Sequence, residues 1–187
     1  AMTKSPVVSV IIPCFNQGRF LSDAIESAMA QSYRRFEVIV VDDGSDDHSA
    51  RIAAQYKSVK LIRQPNRGLS AARNAGMQAS AGEYLVFVDA DDRLLSDALR
   101  AGVNCLTEHP ECAFVYGRYR LITSEGDPMP RAARRQATGD AYREMLRRNC
   151  IGMHAAVMYC RAALTRIGGF DATLPACEDY DVYLRIT

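Results

Sequence analysis

Three stretches constrain this chain most: Val7 to Ile12 (VVSVII), Phe36 to Val41 (FEVIVV) and Tyr84 to Val88 (YLVFV), each almost unbroken in apolar, β-branched or aromatic residues. A strand with one wet face alternates polar and apolar residues. A run without alternation reads as a strand buried on both faces of a parallel sheet. Helix-period segments lie between them. Phe20, Leu21, Ala24, Ile25, Ala28 and Met29 share one helical face behind Asn16, a residue suited to cap them. A short helix is expected over Asp47 to Tyr56, a strand over Val59 to Arg63, and a small-residue helix over Leu69 to Ala79. A helix over Ser96 to Glu108 and a strand over Ala113 to Ile122 follow. Repeated β–α units of this kind imply an α/β fold, an open sheet with helices on its faces.

The later part reads as less regular. Ser124 to Gly139 is rich in Pro, Gly and Arg and reads as a loop, followed by a strand over Ala155 to Tyr159 and helices over Arg161 to Ile167 and Glu178 to Thr187. The last helix stops without a cap, as if the natural sequence ran on. A length of 187 residues suits one domain. Within it, residues 5–117 read as one half and 118–187 as another. Lys and Arg number 23 against 22 acids, a balance that argues against a dedicated nucleic-acid binder. No apolar run approaches the ~20 residues of a membrane span, and the N-terminus lacks a signal-peptide core. Ala1 before Met2 reads as a tag-cleavage scar. The six cysteines form no C-x-x-C pair and most sit in apolar stretches, so a reducing cytosol is expected and a zinc site is not. Of the basic residues 20 are Arg and three are Lys, with eight arginines against four acids between Arg118 and Cys150.

Polar clusters fall where the buried strands end, which is where open α/β sheets bind ligands. They are Pro13-Cys14-Phe15-Asn16, Asp42-Asp43-Gly44-Ser45 and Asp89-Ala90-Asp91-Asp92. Residues i and i+2 of an extended chain project to one side. Asp89 and Asp91 can therefore face one hard cation, Mg²⁺ or Mn²⁺, which keeps open positions for phosphate oxygens. Asp92 should point away and cap the next helix. Asp43 suits an N–H on a nucleobase edge or, alternatively, an Asx-turn. Asp46 and Asp47 read as caps. Arg73, beside Asn74, can reach a diphosphate or make an ordinary salt bridge. His154 lines a sugar or acceptor pocket or serves as a satisfied structural residue. Arg131, Arg134 and Arg135 belong to a solvated loop or close over an anion.

These motifs, with Gly68-Leu69-Ser70-Ala71-Ala72-Arg73-Asn74-Ala75-Gly76 and the late Gly168-Gly169-Phe170-Asp171 and Glu178-Asp179, are together similar to family 2 glycosyltransferases of the GT-A fold. The resemblance covers nearly the whole chain. It implies a GT-A type, mostly parallel sheet with a smaller irregular acceptor-side region. It also implies an inverting transferase that uses a nucleotide-diphosphate sugar and a divalent metal. By this resemblance Pro13, Phe15 and Asp43 hold the base, with Asn16, Arg73, Asn74, Asp89 and Ala90 as further nucleotide contacts. Asp89 and Asp91 meet ribose, metal and diphosphate. Asp179 is the general base. Glu178 and Asp179 stand about 100° apart on a helix, so only one aims at the acceptor and the other serves the structure. The expected donor is a UDP-sugar, by family frequency, and the expected acceptor a cell-envelope glycan or lipid-linked saccharide. The expected place is the cytoplasm at the inner membrane face, although no residue demonstrates a membrane contact.

Rival readings are a haloacid-dehalogenase-like phosphotransferase, a nucleotidyltransferase and a donor-binding domain without turnover. The first wants its D-x-D on the first strand followed by Thr or Val, whereas Arg93 and Leu94 follow Asp92 here. The second wants a Gly-rich basic loop after strand one, and Asn16-Gln17-Gly18-Arg19 is a poor substitute. The third has to explain why every acid the reaction needs is present.

Overall fold

The computed structural model describes residues 7–130 and 140–187. In chain order the elements are β1 (Val8–Cys14), α1 (Gly18–Met29), β2 (Phe36–Asp42), α2 (Ser49–Ala53), β3 (Val59–Arg63), α3 (Leu69–Ala79), β4 (Tyr84–Phe87) and α4 (Ala98–Glu108). They continue with β5 (Phe114–Tyr116), α5 (Ala141–Arg147), a 3₁₀ turn (His154–Ala156), β6 (Val157–Cys160), α6 (Arg161–Arg166) and α7 (Glu178–Ile186). One six-stranded sheet runs in the order β3-β2-β1-β4-β6-β5. β1 pairs in parallel with β2 and β4, and β2 with β3, whereas β6 is antiparallel to both β4 and β5.

The apolar runs fill two cores because successive side chains leave a strand on opposite faces. Val8, Val10 and Ile12 of β1, Val38 and Val40 of β2 and Val86 of β4 meet Leu21, Ala24, Ile25 and Ala28 of α1 and Leu99, Val103 and Leu106 of α4. Ile11, Ile39, Val41, Leu85 and Phe87 face Ala72 of α3, Leu164 of α6, and Val182, Tyr183 and Ile186 of α7. Fully burying one such aliphatic side chain is worth about 1.5–3 kcal/mol. α3 lies unusually close to the sheet. A Cβ at Gly76 would stand 2.3 Å from Ile11 Cγ2 and 3.2 Å from Val41 Cγ2, so the small residues of this helix set its distance.

Several elements differ from their expected bounds. β1 continues through Pro13 to Cys14. Ile11 accepts the last bond from the β4 side, donated by Val88 N–H, and Cys14 turns to β2, where it accepts from Asp43 N–H. Pro13 is directed to the β4 side and has no N–H to donate, so the ladder with β4 ends at the Val88–Ile11 bond. β5 ends at Tyr116: the chain then leaves the sheet and makes a small antiparallel bridge, Ile122 to Pro128. α5 was not expected. Only Met145 of that helix is buried, too little for a visible period. Arg131, Arg134 and Arg135 lie outside the described residues, as do Ala1 and Met2. Of the cysteines only Cys14 is buried, and Cys105 and Cys177 are exposed, against the expectation that most are apolar fillers.

Candidate functional site

The strand order turns back between β1 and β4, and a cleft of about 360 Å³ opens at their carboxyl ends, at the switch point. Its lining includes Pro13, Phe15, Asp43, Asp89, Ala90 and Asp91. Phe15 is 46% exposed, an aromatic face that no core requires. Gln17 and Asn66 also line the cleft, and neither was a candidate site residue.

The second strand end is tightly bonded. Asp42 is buried; Oδ1 accepts from Ser45 N–H at 3.1 Å and Oδ2 from Arg63 Nε at 3.1 Å. Asp43 is also buried. It accepts from Gln64 Nε2 at 2.6 Å, Arg67 N–H at 3.0 Å and Gly68 N–H at 2.8 Å. Those bonds use three of roughly four lone-pair sites on a carboxylate. Asp43 thus pins the loop that enters α3, whose Gly68 sits at φ 87°, a conformation that glycine adopts without strain. Asn16 does not line the cleft. Its Oδ1 accepts from Asp46 N–H at 2.9 Å and its N–H donates to Ser45 Oγ, so it ties the first loop to the second. The N-cap position of α1 belongs to Gln17, and Asp47 bonds Gly18 N–H and Ser49 N–H at the starts of α1 and α2.

At the third strand end two of the expected nucleotide contacts, Arg73 and Asn74, are bonded within the protein. Arg73 makes the salt bridge that was its alternative reading. It is 1% exposed, and donates from Nη2 to Asp89 Oδ1 at 2.9 Å and from Nη1 to Glu178 Oε1 at 2.7 Å. Burial works against its charge, but Asp89 and Glu178 outweigh this and hold its pKa above the ordinary value. Asn74 does not line the cleft. Its amide donates to Phe170 O at 2.7 Å and accepts from Phe170 N–H at 3.0 Å. Two consecutive residues of α3 therefore clamp the turn after β4 and the segment before α7. Of the Glu178–Asp179 pair, Glu178 is the one that bonds Arg73. Asp92 is no helix cap. It lines a second cleft of about 270 Å³ beside Asp91, and burial followed by the charges of Asp89 and Asp91 pushes its pKa up to about 6.

His154 lies in a core of rings, with Phe87, Tyr159, Phe170 and Tyr183 at 5.6–6.1 Å between centroids. It lines neither cleft, which favours its structural reading. Burial, then the charge of Arg73, drives its pKa well below the ordinary value, so the ring is neutral. Its Nδ1 is 3.0 Å from Tyr183 Oη, and Tyr183 Oη is 3.5 Å from Asp179 Oδ2. Asp179 is half-buried at the start of α7 and does not line the 360 Å³ cleft; the Glu178–Arg73–Asp89 chain connects its helix to that cleft. Tyr183 escaped notice because a tyrosine in an apolar helix face reads as core.

Among the described residues no three acids, histidines or cysteines form a metal cage. The available set is Asp91, exposed at the lip of both clefts, and Asp89, one of whose oxygens is committed to Arg73. Mg²⁺ commonly takes one or two carboxylates and completes its shell with water and substrate phosphates, so this set fits such an ion when it arrives with a diphosphate.

The model of the family "Glycosyl transferase family 2" matches residues 9–170. The chain belongs to that family. The putative teichuronic acid biosynthesis glycosyltransferase TuaG of Bacillus subtilis is 33% identical over 66% of this chain and 51% of its own length. The family 2 chain thus spans about half the length of such a relative. Among solved structures, S. aureus TarS in complex with UDP-GlcNAc aligns with TM-score 0.72 at 24% identity, over 96% of this chain and 53% of TarS. The mannosyltransferase PcManGT of Pyrobaculum calidifontis, in complex with GDP-Man and Mn²⁺, aligns with TM-score 0.73 at 23% identity over 98% of this chain and 52% of its own. These two likenesses establish the GT-A fold. Membership in the family displaces the phosphotransferase and nucleotidyltransferase readings, and in this sheet the D-x-D follows β4 instead of β1. No helix among the described residues is long and apolar enough to cross a membrane.

Proposed function

We propose that this chain carries the donor-binding and catalytic machinery of an inverting glycosyltransferase. It moves a sugar from a nucleotide diphosphate, with UDP-sugars the first donors to try, to a hydroxyl of a cell-envelope glycan or lipid-linked saccharide. One observation carries the reading: a single cleft at the sheet's switch point has exposed Phe15 at the first strand end and the Asp89-Ala90-Asp91 turn at the third. That layout suits a ligand with a flat base at one end and a charged diphosphate at the other. The names of the relatives support the class of donor and acceptor, since TarS was solved with UDP-GlcNAc, PcManGT with GDP-Man and TuaG is named for teichuronic acid.

In the proposed division of labour, Phe15 stacks on the base, Pro13 shapes the wall beside it, and Asp43 holds the loop that completes the pocket. Asp91, with Asp89, would hold Mg²⁺ or Mn²⁺, which when bound supplies Lewis-acid neutralisation of the leaving diphosphate. The acceptor oxygen forms its bond to the anomeric carbon from the face opposite the diphosphate, whose C–O bond breaks with the electron pair. Asp179 takes the hydroxyl proton, a contribution typically about 10²–10⁴-fold.

Thermal shifts with UDP, GDP, dTDP and their sugars, each with and without Mn²⁺, test this. A metal-dependent rise with one nucleotide series, lost in Asp91→Ala, is the expected result. The absence of a shift with every nucleotide would sink the reading, and a shift without turnover in any acceptor screen would favour a binding domain.

A further inference from the structure

We propose that Tyr183, clamped by His154, is the positioning residue that orients Asp179 for the acceptor; this rests on the reading of Asp179 as the base. Asp179 and Tyr183 are four residues apart on α7 and so share one helical face. Asp179 Oδ1 accepts from Tyr180 N–H at 2.7 Å, which fixes one oxygen against the helix start. Oδ2 is the oxygen nearer the core, and the Tyr183 hydroxyl stands 3.5 Å from it. Tyr183 cannot swing freely. Its ring is fully buried, stacked on Tyr159 at 6.5 Å and 10°, and lies against Phe114 at 6.0 Å and 29°.

The hydrogen-bond network assigns the direction of these bonds. A neutral imidazole carries one N–H, and His154 Nε2 is buried with no hydrogen-bond partner among the described residues. A proton on Nε2 would be an orphaned buried donor, whereas a proton on Nδ1 leaves only a lone pair unmet and aims the N–H at Tyr183 Oη, 3.0 Å away. Buried orphan donors are the rarer of the two defects. The Tyr183 oxygen then accepts from His154, and its own proton must go elsewhere. The hydroxyl of Tyr159 and the carboxylate of Asp179 are both within reach. A charge-assisted bond is roughly twice as strong as a neutral one, so the carboxylate takes it. Burial, then the nearby charge of Asp179, raises the pKa of the phenol, which keeps it protonated and able to donate. His154 thus acquires a task that its distance from both clefts conceals: it sets the hydroxyl direction of Tyr183, which sets Oδ2.

The test uses the complete protein and the nucleotide sugar that gives the largest thermal shift, with release of nucleoside diphosphate measured with water as acceptor. Tyr183→Phe keeps the ring and its stacking, and is expected to lower kcat about 10- to 100-fold, the loss of one hydrogen bond to a charged group, with the donor KM unchanged. His154→Gln should lower kcat in the same direction by less. The deciding measurement is the double variant. In an Asp179→Asn background, Tyr183→Phe should have no further effect, because the residue acts through the carboxylate. The same fold-loss in both backgrounds, or wild-type turnover in Tyr183→Phe, overturns the positioning role and leaves Asp179 as base. Wild-type turnover in Asp179→Asn alone removes the base and this proposal together.

Discussion

Arg73 holds a permanent charge almost wholly out of water, and its two acids come from opposite sides of the site, Asp89 after β4 and Glu178 at the start of α7. Removing one member of such a buried set strands the others. Arg73→Met should therefore cost about 3–5 kcal/mol of stability by urea unfolding. Arg73→Lys should recover only part of this, since an ammonium lacks the planar fork that serves two carboxylates. A loss below about 1 kcal/mol in Arg73→Met would mean that desolvation already cancels the pairing. The same residue shows what a motif hides. Its place in Ala71-Ala72-Arg73-Asn74 located it near the site, but one acid partner is 105 positions away, and the choice between diphosphate and salt bridge depended on a burial that no local pattern encodes. Asp43 is a milder case. Its position at a strand end was legible, whereas its three bonds to Gln64, Arg67 and Gly68 depend on a loop more than twenty residues on.

At the scale of elements, α3 is the helix that the site depends on, because it presents Arg73 and Asn74 while lying against β1 and β2. Gly76 permits that approach. Gly76→Ala gains roughly 1 kcal/mol in helix propensity, but the new methyl meets the stiff β-branched Ile11 at 2.3 Å. A net destabilisation of about 1–2 kcal/mol is expected, seen as a lower urea midpoint at unchanged slope. Equal or greater stability would show that α3 can move outward without loss. α3 was readable to the residue, as was β3, because small-residue spacing and β-branched runs are strong local signals. α5 was not, with Met145 as its one buried residue. Nor was the early end of β5, where Arg118 to Ile122 keep a strand-like sequence but the pairing partner β6 has run out at Val157.

The described residues form a sheet between two cores, with a cleft at the carboxyl ends of β1 and β4 and α7 closing the second core beside it. α7 is tied to its surroundings by Arg185, which donates to Ile167 O and Gly169 O at 2.8 Å, and by Tyr180, which donates to Met145 O. Among the described residues, the side-chain bonds that join it to the Asp89 turn run through Arg73. A ligand that orders this turn should therefore also order the start of α7, through one ion-pair chain. Hydrogen exchange can read this, since local opening free energies differ along a chain and respond where contacts tighten. With the nucleoside diphosphate of largest thermal shift and Mn²⁺, amides of 178–186 should exchange more slowly, together with those around 89–91. In Glu178→Ala the slowing at 89–91 should persist and that at 178–186 should vanish. Undiminished slowing at 178–186 in that variant would place the coupling in the packed core of Phe170 and Tyr183, outside the Arg73 bridge.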